Sequence, residues 1–227
     1  MEFVNGDSLD KLPNVTRDET LLMARQISMV VSYLHDQNIT HRDIKPANII
    51  VTNRGRGFSC KLVDYGESSD ESNMKTFSGT PMYRAPEIVE MDSRLVGNAE
   101  TKGPSRMYSN AVDVWSMGIL FTEYFYTWLT RCLNELTDTP RDSWLADTEG
   151  PGVPGVDSFQ RNMFRNLALT PSRKEKWYQF IRGRLEEEHK EGCSMAAILL
   201  RMVQDDPLKR APVSECRYYL DHLDLSW

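Results

Sequence analysis

The chain has 227 residues, of which 40% are hydrophobic, which is enough for one globular domain with a single core. A formal net charge of -6 provides no basic field of the kind that draws proteins onto nucleic acid or anionic membranes. The sequence has no apolar run of about 18 residues and no signal-peptide pattern. It therefore predicts an intracellular protein, cytoplasmic or nuclear, with neither nucleic acid nor membrane as a partner.

The first predicted element is a helix that starts after Thr16 and ends near His35. Thr16 and Glu19 have the spacing of a capping box, and apolar residues then recur every three or four positions over 21–34. Two short apolar runs follow, at 48–51 and 60–63. The polar, glycine-bearing connection between them predicts a small antiparallel hairpin.

Residues 67–80 are polar and rich in hydroxyls, so a surface loop is expected there. Residues 111–126 are apolar nearly all round, which is typical of a helix buried in the domain centre. The segment 138–157 predicts a solvent-exposed excursion. Further helices are predicted around 172–188, 194–204 and 213–220. The four cysteines are scattered without a C-x-x-C pair, which favours structural thiols over a zinc or redox site.

Two motifs bring chemically useful side chains to the mouth of the predicted hairpin. The first strand is preceded by H-R-D-I-K-P-A-N at 41–48, and the second strand ends at D-Y-G, residues 64–66. Taken singly, either motif could be an ordinary turn with solvated charges. Their joint order and spacing favour a functional site.

Phosphoryl transfer needs a group that orients the attacking hydroxyl and accepts its proton, oxygen ligands for Mg²⁺, and a cation against the transferred group. Asp43 suits the first role and Lys45 the third. Asn48 and Asp64 supply the oxygens for the second. The sequence therefore predicts a phosphotransferase site.

The chain resembles the eukaryotic protein kinase family, serine/threonine type. Besides the two motifs above, three others match the family in the right order and together cover most of the chain: G-T-P-M-Y-R-A-P-E at 79–87, D-V-W-S-M-G at 113–118 and D-P-L-K-R-A-P at 206–212. The segment 79–87 belongs to protein kinases, which weakens the alternative of a small-molecule kinase of related fold.

The resemblance implies ATP and Mg²⁺ as cofactors and assigns the catalytic residues. By it, Asp43 is the catalytic base and Lys45 contacts the γ-phosphate. Asn48 and Asp64 hold magnesium. The opening residues resemble the hinge of the family, where backbone groups such as those of Glu2 and Val4 meet adenine.

Regulatory and structural roles follow from the same resemblance. Thr76 occupies a position that is often phosphorylated, and a phosphate there would pair with Arg42. The alternatives are an ordinary loop hydroxyl for Thr76 and a surface cation for Arg42. Asp113 is expected to support the catalytic loop. Glu87 and Arg210 are expected to form a structural ion pair.

The resulting fold prediction is mainly α within an α+β family fold: a partial protein kinase domain over residues 1–224, comprising the hinge and the C-terminal lobe. Its short β-hairpin carries the catalytic and D-F-G-type motifs. Insertions are predicted near 92–108 and 130–170. The N-terminal lobe is expected to be absent, because the family motifs that precede the hinge do not occur.

Two functions are weighed on this basis. The favoured one is an MgATP-dependent serine/threonine protein kinase, with a protein substrate and an activating kinase as partners. The alternative is an inactive lobe that serves as a protein-interaction module. The absent lobe has three explanations: a cut or mis-started kinase, a natural fragment, or a lobe completed by another chain. Retention of all four catalytic side chains favours the first.

Overall fold

The computed structural model describes residues 4–54, 57–70, 79–80, 82–88, 108–126 and 171–223. The excursion at 138–157 lies outside these residues, as do both predicted insertions except for Tyr108 at the end of the first. The described helices are α1 Arg17–Asp36, α2 Ala111–Phe125, α3 Pro171–Lys190, α4 Ser194–Met202 and α5 Val213–His222. The described strands are β1 Asp7–Ser8, β2 Ile39–Thr40, β3 Ile49–Asn53, β4 Ser59–Leu62 and β5 Ser69–Asp70.

Helix α1 begins with the predicted capping box. The Thr16 hydroxyl accepts the Glu19 N–H at 3.2 Å, and the Glu19 carboxylate accepts the Thr16 N–H at 2.9 Å. These two bonds satisfy N–H groups that would otherwise lack partners in the first turn. The apolar positions predicted to face the core are buried along the helix. The predicted helix is confirmed.

The predicted hairpin is confirmed as β3 and β4, which pair antiparallel with Ile49 opposite Leu62. Strand β1 adds to its other edge and gives the order β1-β3-β4. Strands β2 and β5 form a second antiparallel pair. The prediction of a surface loop over 67–80 is therefore wrong at β5. A two-residue strand has no alternation pattern, and its partner lies far away in sequence.

The core is centred on α2, as its apolar sequence predicted. Trp115 and Phe121 are fully buried. A Cβ on Gly118 would lie 2.8 Å from Cγ1 of Val203, so this glycine permits close contact between α2 and the end of α4. None of the described helices combines the length and apolar character needed to cross a bilayer.

Helix α5 packs against α1, and a side chain of α1 caps its C-terminus. Arg25 donates from Nε to the Leu220 carbonyl at 2.8 Å and from Nη2 to the Leu223 carbonyl at 2.7 Å. These carbonyls belong to the last turn, where a cation also offsets the helix dipole. Cys60, Cys193 and Cys216 are free and buried, in agreement with the prediction of structural thiols.

Candidate active site

Asp43 lies at the centre of the site, in the loop between β2 and β3, and is 9% exposed. The side-chain amide of Asn48 donates to the Asp43 backbone carbonyl at 2.8 Å and to Oδ2 of its carboxylate at 3.1 Å. Because the amide nitrogen of Asn48 makes both bonds, its oxygen is turned to the opposite side of the planar amide group. The short 3₁₀ turn Pro46–Asn48 brings the two residues together.

Lys45 and Thr80 complete the environment of the Asp43 carboxylate. Nζ of Lys45 lies 2.7 Å from Asp43 Oδ2 and donates to the Thr80 hydroxyl at 2.9 Å. The backbone N–H and the hydroxyl of Thr80 both donate to Asp43 Oδ1 at 2.8 Å. The Thr80 hydroxyl thus accepts from the ammonium and donates to the carboxylate, which fixes the three groups together.

The contacts with Asp43 determine its charge state. Burial by itself raises the pKa of this carboxyl, but the hydrogen bonds from Lys45 and Thr80 outweigh burial and hold the pKa below its ordinary value. Asp43 is therefore ionised at neutral pH. An ionised carboxylate can accept a proton from an attacking hydroxyl.

Asp113, in the first turn of α2, holds the loop that carries Asp43. Its Oδ2 accepts the His41 N–H and its Oδ1 accepts the Arg42 N–H, each at 2.8 Å. Nε2 of His35 lies 3.0 Å from Oδ2. Arg42 has a φ of 72°, an uncommon backbone conformation for a residue with a side chain. The carboxylate of Asp113 thus anchors a bent main chain beside Asp43.

Asp64 follows β4 and lies next to the Asn48 segment. The Val63 N–H donates to the Asn48 carbonyl at 2.9 Å, which places Asp64 one residue beyond this main-chain pairing. Asp64 is exposed and has a φ of 64°. The His41 ring contacts both sides of this turn: its Nε2 lies 3.2 Å from the Val63 carbonyl, and its centroid lies 5.0 Å from that of Tyr65.

The other residues predicted from the sequence lie around this centre or outside the described residues. Arg42 is 7% exposed, so the alternative of a surface cation is wrong; its guanidinium lies over the Tyr108 ring, 5.7 Å from the centroid. Val4 is half-buried. Glu2 and Thr76 lie outside the described residues.

Arg210 and Glu87 form the expected pair, with N–O distances of 2.8 and 3.1 Å. The Arg210 side chain is fully buried, lies over the Trp115 ring at 5.2 Å and also donates to the Gln204 and Ala111 carbonyls. All of its polar edge is thereby satisfied. A fork of this kind suits a buried carboxylate better than a lysine ammonium does.

Sequence reasoning missed two contributions to the site. It quoted Thr80 only as part of a motif and as one loop hydroxyl among several, although a hydroxyl directly before Pro81 within that motif was a usable signal. It also missed a pair in which the buried Tyr83 donates to the half-buried Glu123 at 2.7 Å. The signal for that pair was an acidic residue within the otherwise apolar α2.

The comparison with protein families agrees with this geometry. The chain matches the protein kinase domain family over residues 1–216. It belongs to the eukaryotic-type serine/threonine protein kinase family.

Similar curated proteins are serine/threonine kinases. The chain is 35% identical over 130 residues to the ovarian-specific serine/threonine-protein kinase Lok of Drosophila melanogaster, covering 54% of this chain and 25% of that protein. It is 37% identical over 127 residues to serine/threonine-protein kinase RAD53 of Saccharomyces cerevisiae, covering 53% and 15%. Identity to calcium/calmodulin-dependent protein kinase type 1 of Caenorhabditis briggsae is 32% over 126 residues, covering 53% and 32%. The chain thus spans a third or less of each relative.

Proposed function

We propose that this chain is the C-terminal lobe of a protein kinase domain that transfers the γ-phosphoryl group of MgATP to a serine or threonine hydroxyl of a protein substrate. The observation that carries the proposal is the set of contacts on Asp43. One ionised carboxylate is fixed at the same time by Lys45, Thr80 and Asn48. Such a preorganised charge is what phosphoryl transfer requires of a protein.

In the proposed reaction, Asp43 orients the substrate hydroxyl and accepts its proton. The hydroxyl oxygen forms a bond to the γ-phosphorus as the bond from that phosphorus to the β–γ bridging oxygen breaks, and ADP leaves with the electron pair. Lys45 places its ammonium 2.7 Å from the Asp43 carboxylate, where it offsets negative charge around the transferred group. Thr80 keeps the two charged groups in register.

Asn48 and Asp64 are the residues that would hold magnesium. Carboxylate and amide oxygens are hard ligands that suit Mg²⁺, which takes few ligands from protein when phosphates provide others. Among the described residues no group of three or more His, Cys, Asp or Glu forms a metal cluster, so the pair would bind the ion together with phosphate oxygens. The ion would neutralise the phosphate charge that develops during transfer.

Three further family roles are proposed for residues around the site. Backbone groups of Glu2 and Val4 would contact adenine. An activating kinase would phosphorylate Thr76, and the buried guanidinium of Arg42 would pair with the new phosphate. The position of Arg42 directly before Asp43 supports this role, because a phosphate bound there would act on the catalytic loop itself.

The test is transfer of ³²P from γ-labelled ATP to serine/threonine peptides by this chain in the presence of Mg²⁺. Asp43→Asn keeps the shape of the side chain and removes the base, so transfer is expected to fall by about 10²–10⁴-fold. Asp36→Asn, at the exposed end of α1, is the matched control and should transfer at the unmodified rate. Equal transfer by all three proteins would contradict the proposal.

A second candidate function, a protein-interaction module, is favoured by the exposure of the D-Y-G turn. Asp64 and Gly66 are exposed, and Tyr65 is 43% exposed. An exposed aromatic side chain at the mouth of a site is a surface on which another protein could pack. Calorimetry with MgATP discriminates between the two functions: micromolar affinity supports the kinase, and the absence of binding heat with a folded chain supports the module.

A further inference from the structure

The hydroxyl group of Tyr178, on helix α3, contacts the backbone of Arg84, four residues after Thr80. Tyr178 donates from Oη to the backbone carbonyl of Arg84 at 2.8 Å. Its ring stands edge-on to Trp115 of α2, with centroids 4.6 Å apart, and the residue is 5% exposed. Burial raises the pKa of Tyr178 well above its ordinary value, so the hydroxyl remains a donor at physiological pH.

The Arg84 side chain contacts Gly79, which lies against the loop that carries Asp43. Its Nε donates to the Gly79 carbonyl at 2.5 Å. Gly79 has a φ of 93°, and a Cβ at this position would lie 2.5 Å from the Arg42 carbonyl, so its backbone rests directly on the catalytic loop. The next residue, Thr80, makes the two bonds to Asp43 described above.

We propose that Tyr178 is a positioning residue that holds the described residues of the segment 79–84 against the loop that carries Asp43, so that α3 sets the geometry of the chain beside Asp43. The inference rests on the proposed function only for its kinetic consequence. Each step from Tyr178 to Asp43 is a hydrogen bond or a close backbone contact. Loss of the first bond frees the Arg84 carbonyl, and the segment gains freedom to move off the loop.

A role in packing alone makes a different prediction. The Tyr178 ring fills space against Trp115, and phenylalanine fills the same space. Tyr178→Phe therefore separates the hydroxyl from the ring. Tyr126→Phe is the matched control, because Tyr126 is also a buried tyrosine, and its hydroxyl lies 3.1 Å from Sγ of Cys193, the residue before α4.

The first test is amide hydrogen exchange on the whole chain. Two protected amides report on the segment: those of Thr80 and Tyr83, which donate to Asp43 Oδ1 and to the Thr80 carbonyl. Tyr178→Phe is expected to speed their exchange about five- to tenfold relative to α2 amides, the effect of one lost hydrogen bond. Tyr126→Phe should change it by less than about twofold. Equal exchange in the two variants, whether raised or unchanged, overturns the proposal.

The second test is kinetic, with a peptide substrate. Tyr178→Phe should raise the peptide KM about five- to tenfold and leave the KM for ATP within about twofold, because the loosened residues hold Asp43, which orients the substrate hydroxyl in the proposed reaction. A parallel change in both constants overturns the positioning role. The exchange measurement does not depend on turnover, so an inactive chain would count against the proposed function and leave the positioning role to be decided by exchange.

A second variant, at the next residue in the series of contacts, tests the proposal if Tyr178→Phe is too unstable to study. Arg84→Ala removes the Nε bond to the Gly79 carbonyl and leaves Tyr178 in place. It should speed exchange at Thr80 by a similar factor. Unchanged exchange at Thr80 in this variant would contradict the proposed path to Asp43.

Discussion

Asp113 accepts the backbone N–H of Arg42 at 2.8 Å with one carboxylate oxygen, while its other oxygen accepts the N–H of His41. A single buried side chain of α2 therefore satisfies two consecutive main-chain donors of the loop that carries Asp43. Buried N–H groups that lose their partner retain the full cost of leaving water. The conformation of this loop therefore depends on the Asp113 carboxylate.

Asp113→Asn is expected to lower the free energy of unfolding by about 2–4 kcal/mol, because the amide offers one acceptor oxygen where two donors need one each. Urea denaturation followed by tryptophan fluorescence measures the change. Asp36→Asn, an exposed aspartate on α1, serves as the control and should change stability by less than about 0.5 kcal/mol. Equal stability of the two variants would contradict this role of Asp113.

Thr80→Val should shift the acid side of the pH profile of kcat/KM. The Thr80 hydroxyl helps to hold the pKa of Asp43 low, against the effect of burial. Without it the pKa rises, so activity that needs ionised Asp43 is lost at a higher pH as the solution is acidified. Thr80→Ser keeps the hydroxyl and should retain the unmodified profile. Coincident profiles for the valine and serine variants would exclude the effect.

Arg210→Ala should cost about 3–5 kcal/mol of stability, because it leaves Glu87 without its buried partner. Thermal and urea unfolding measure the loss. Lys209→Ala, whose side chain is 75% exposed, is the neighbouring control and should be nearly neutral. In a double-mutant cycle with Glu87→Gln, the coupling energy should exceed about 1 kcal/mol; additive losses would show that the two residues do not stabilise each other.

Glu123→Gln should stabilise the fold in a pH-dependent way. Burial raises the pKa of Glu123 to about 7, and the hydrogen bond from Tyr83 opposes this only in part. Between these two pKa values the folded protein keeps a proton that the unfolded chain has released. The free energy of unfolding therefore falls as pH rises from about 4.5 to 7.

The glutamine variant avoids that loss, because it carries no charge. Its advantage over the unmodified chain should grow by about 2–3 kcal/mol between pH 5 and pH 8. Glu191→Gln, at an exposed turn, should show no such trend. A constant difference between the Glu123 variant and the unmodified chain across this range would argue against a raised pKa.

Elements whose pattern lies within one short stretch of sequence were predicted correctly, and elements that depend on distant residues were not. Helices α1 and α2 were predicted within one or two residues, because burial of one face or of the whole surface leaves a local pattern. Strands β1, β2 and β5 were missed, since two residues show no pattern and their pairing depends on distant partners.

The same distinction holds at the site. Asp43, Lys45 and Asn48 belong to one contiguous motif, and the structure brings their side chains into contact. Their roles and that of Asp64 stay predictions. The bond between Tyr178 and Arg84 joins residues 94 positions apart, and no local feature of α3 relates it to the active site. Thr80 belongs to a motif, but its two bonds to Asp43 depend on the close approach of the Gly79 backbone to the Arg42 carbonyl.

Arg42 and Asp64 both keep the left-handed backbone that glycine adopts without strain, at a cost of about 1 kcal/mol each. A library selected only for thermal tolerance should therefore enrich glycine or asparagine at positions 42 and 64. Enrichment for phosphate transfer should restore arginine and aspartate. The two selections would therefore favour different residues at positions 42 and 64, so thermal tolerance and phosphate transfer would be improved there only at each other's expense.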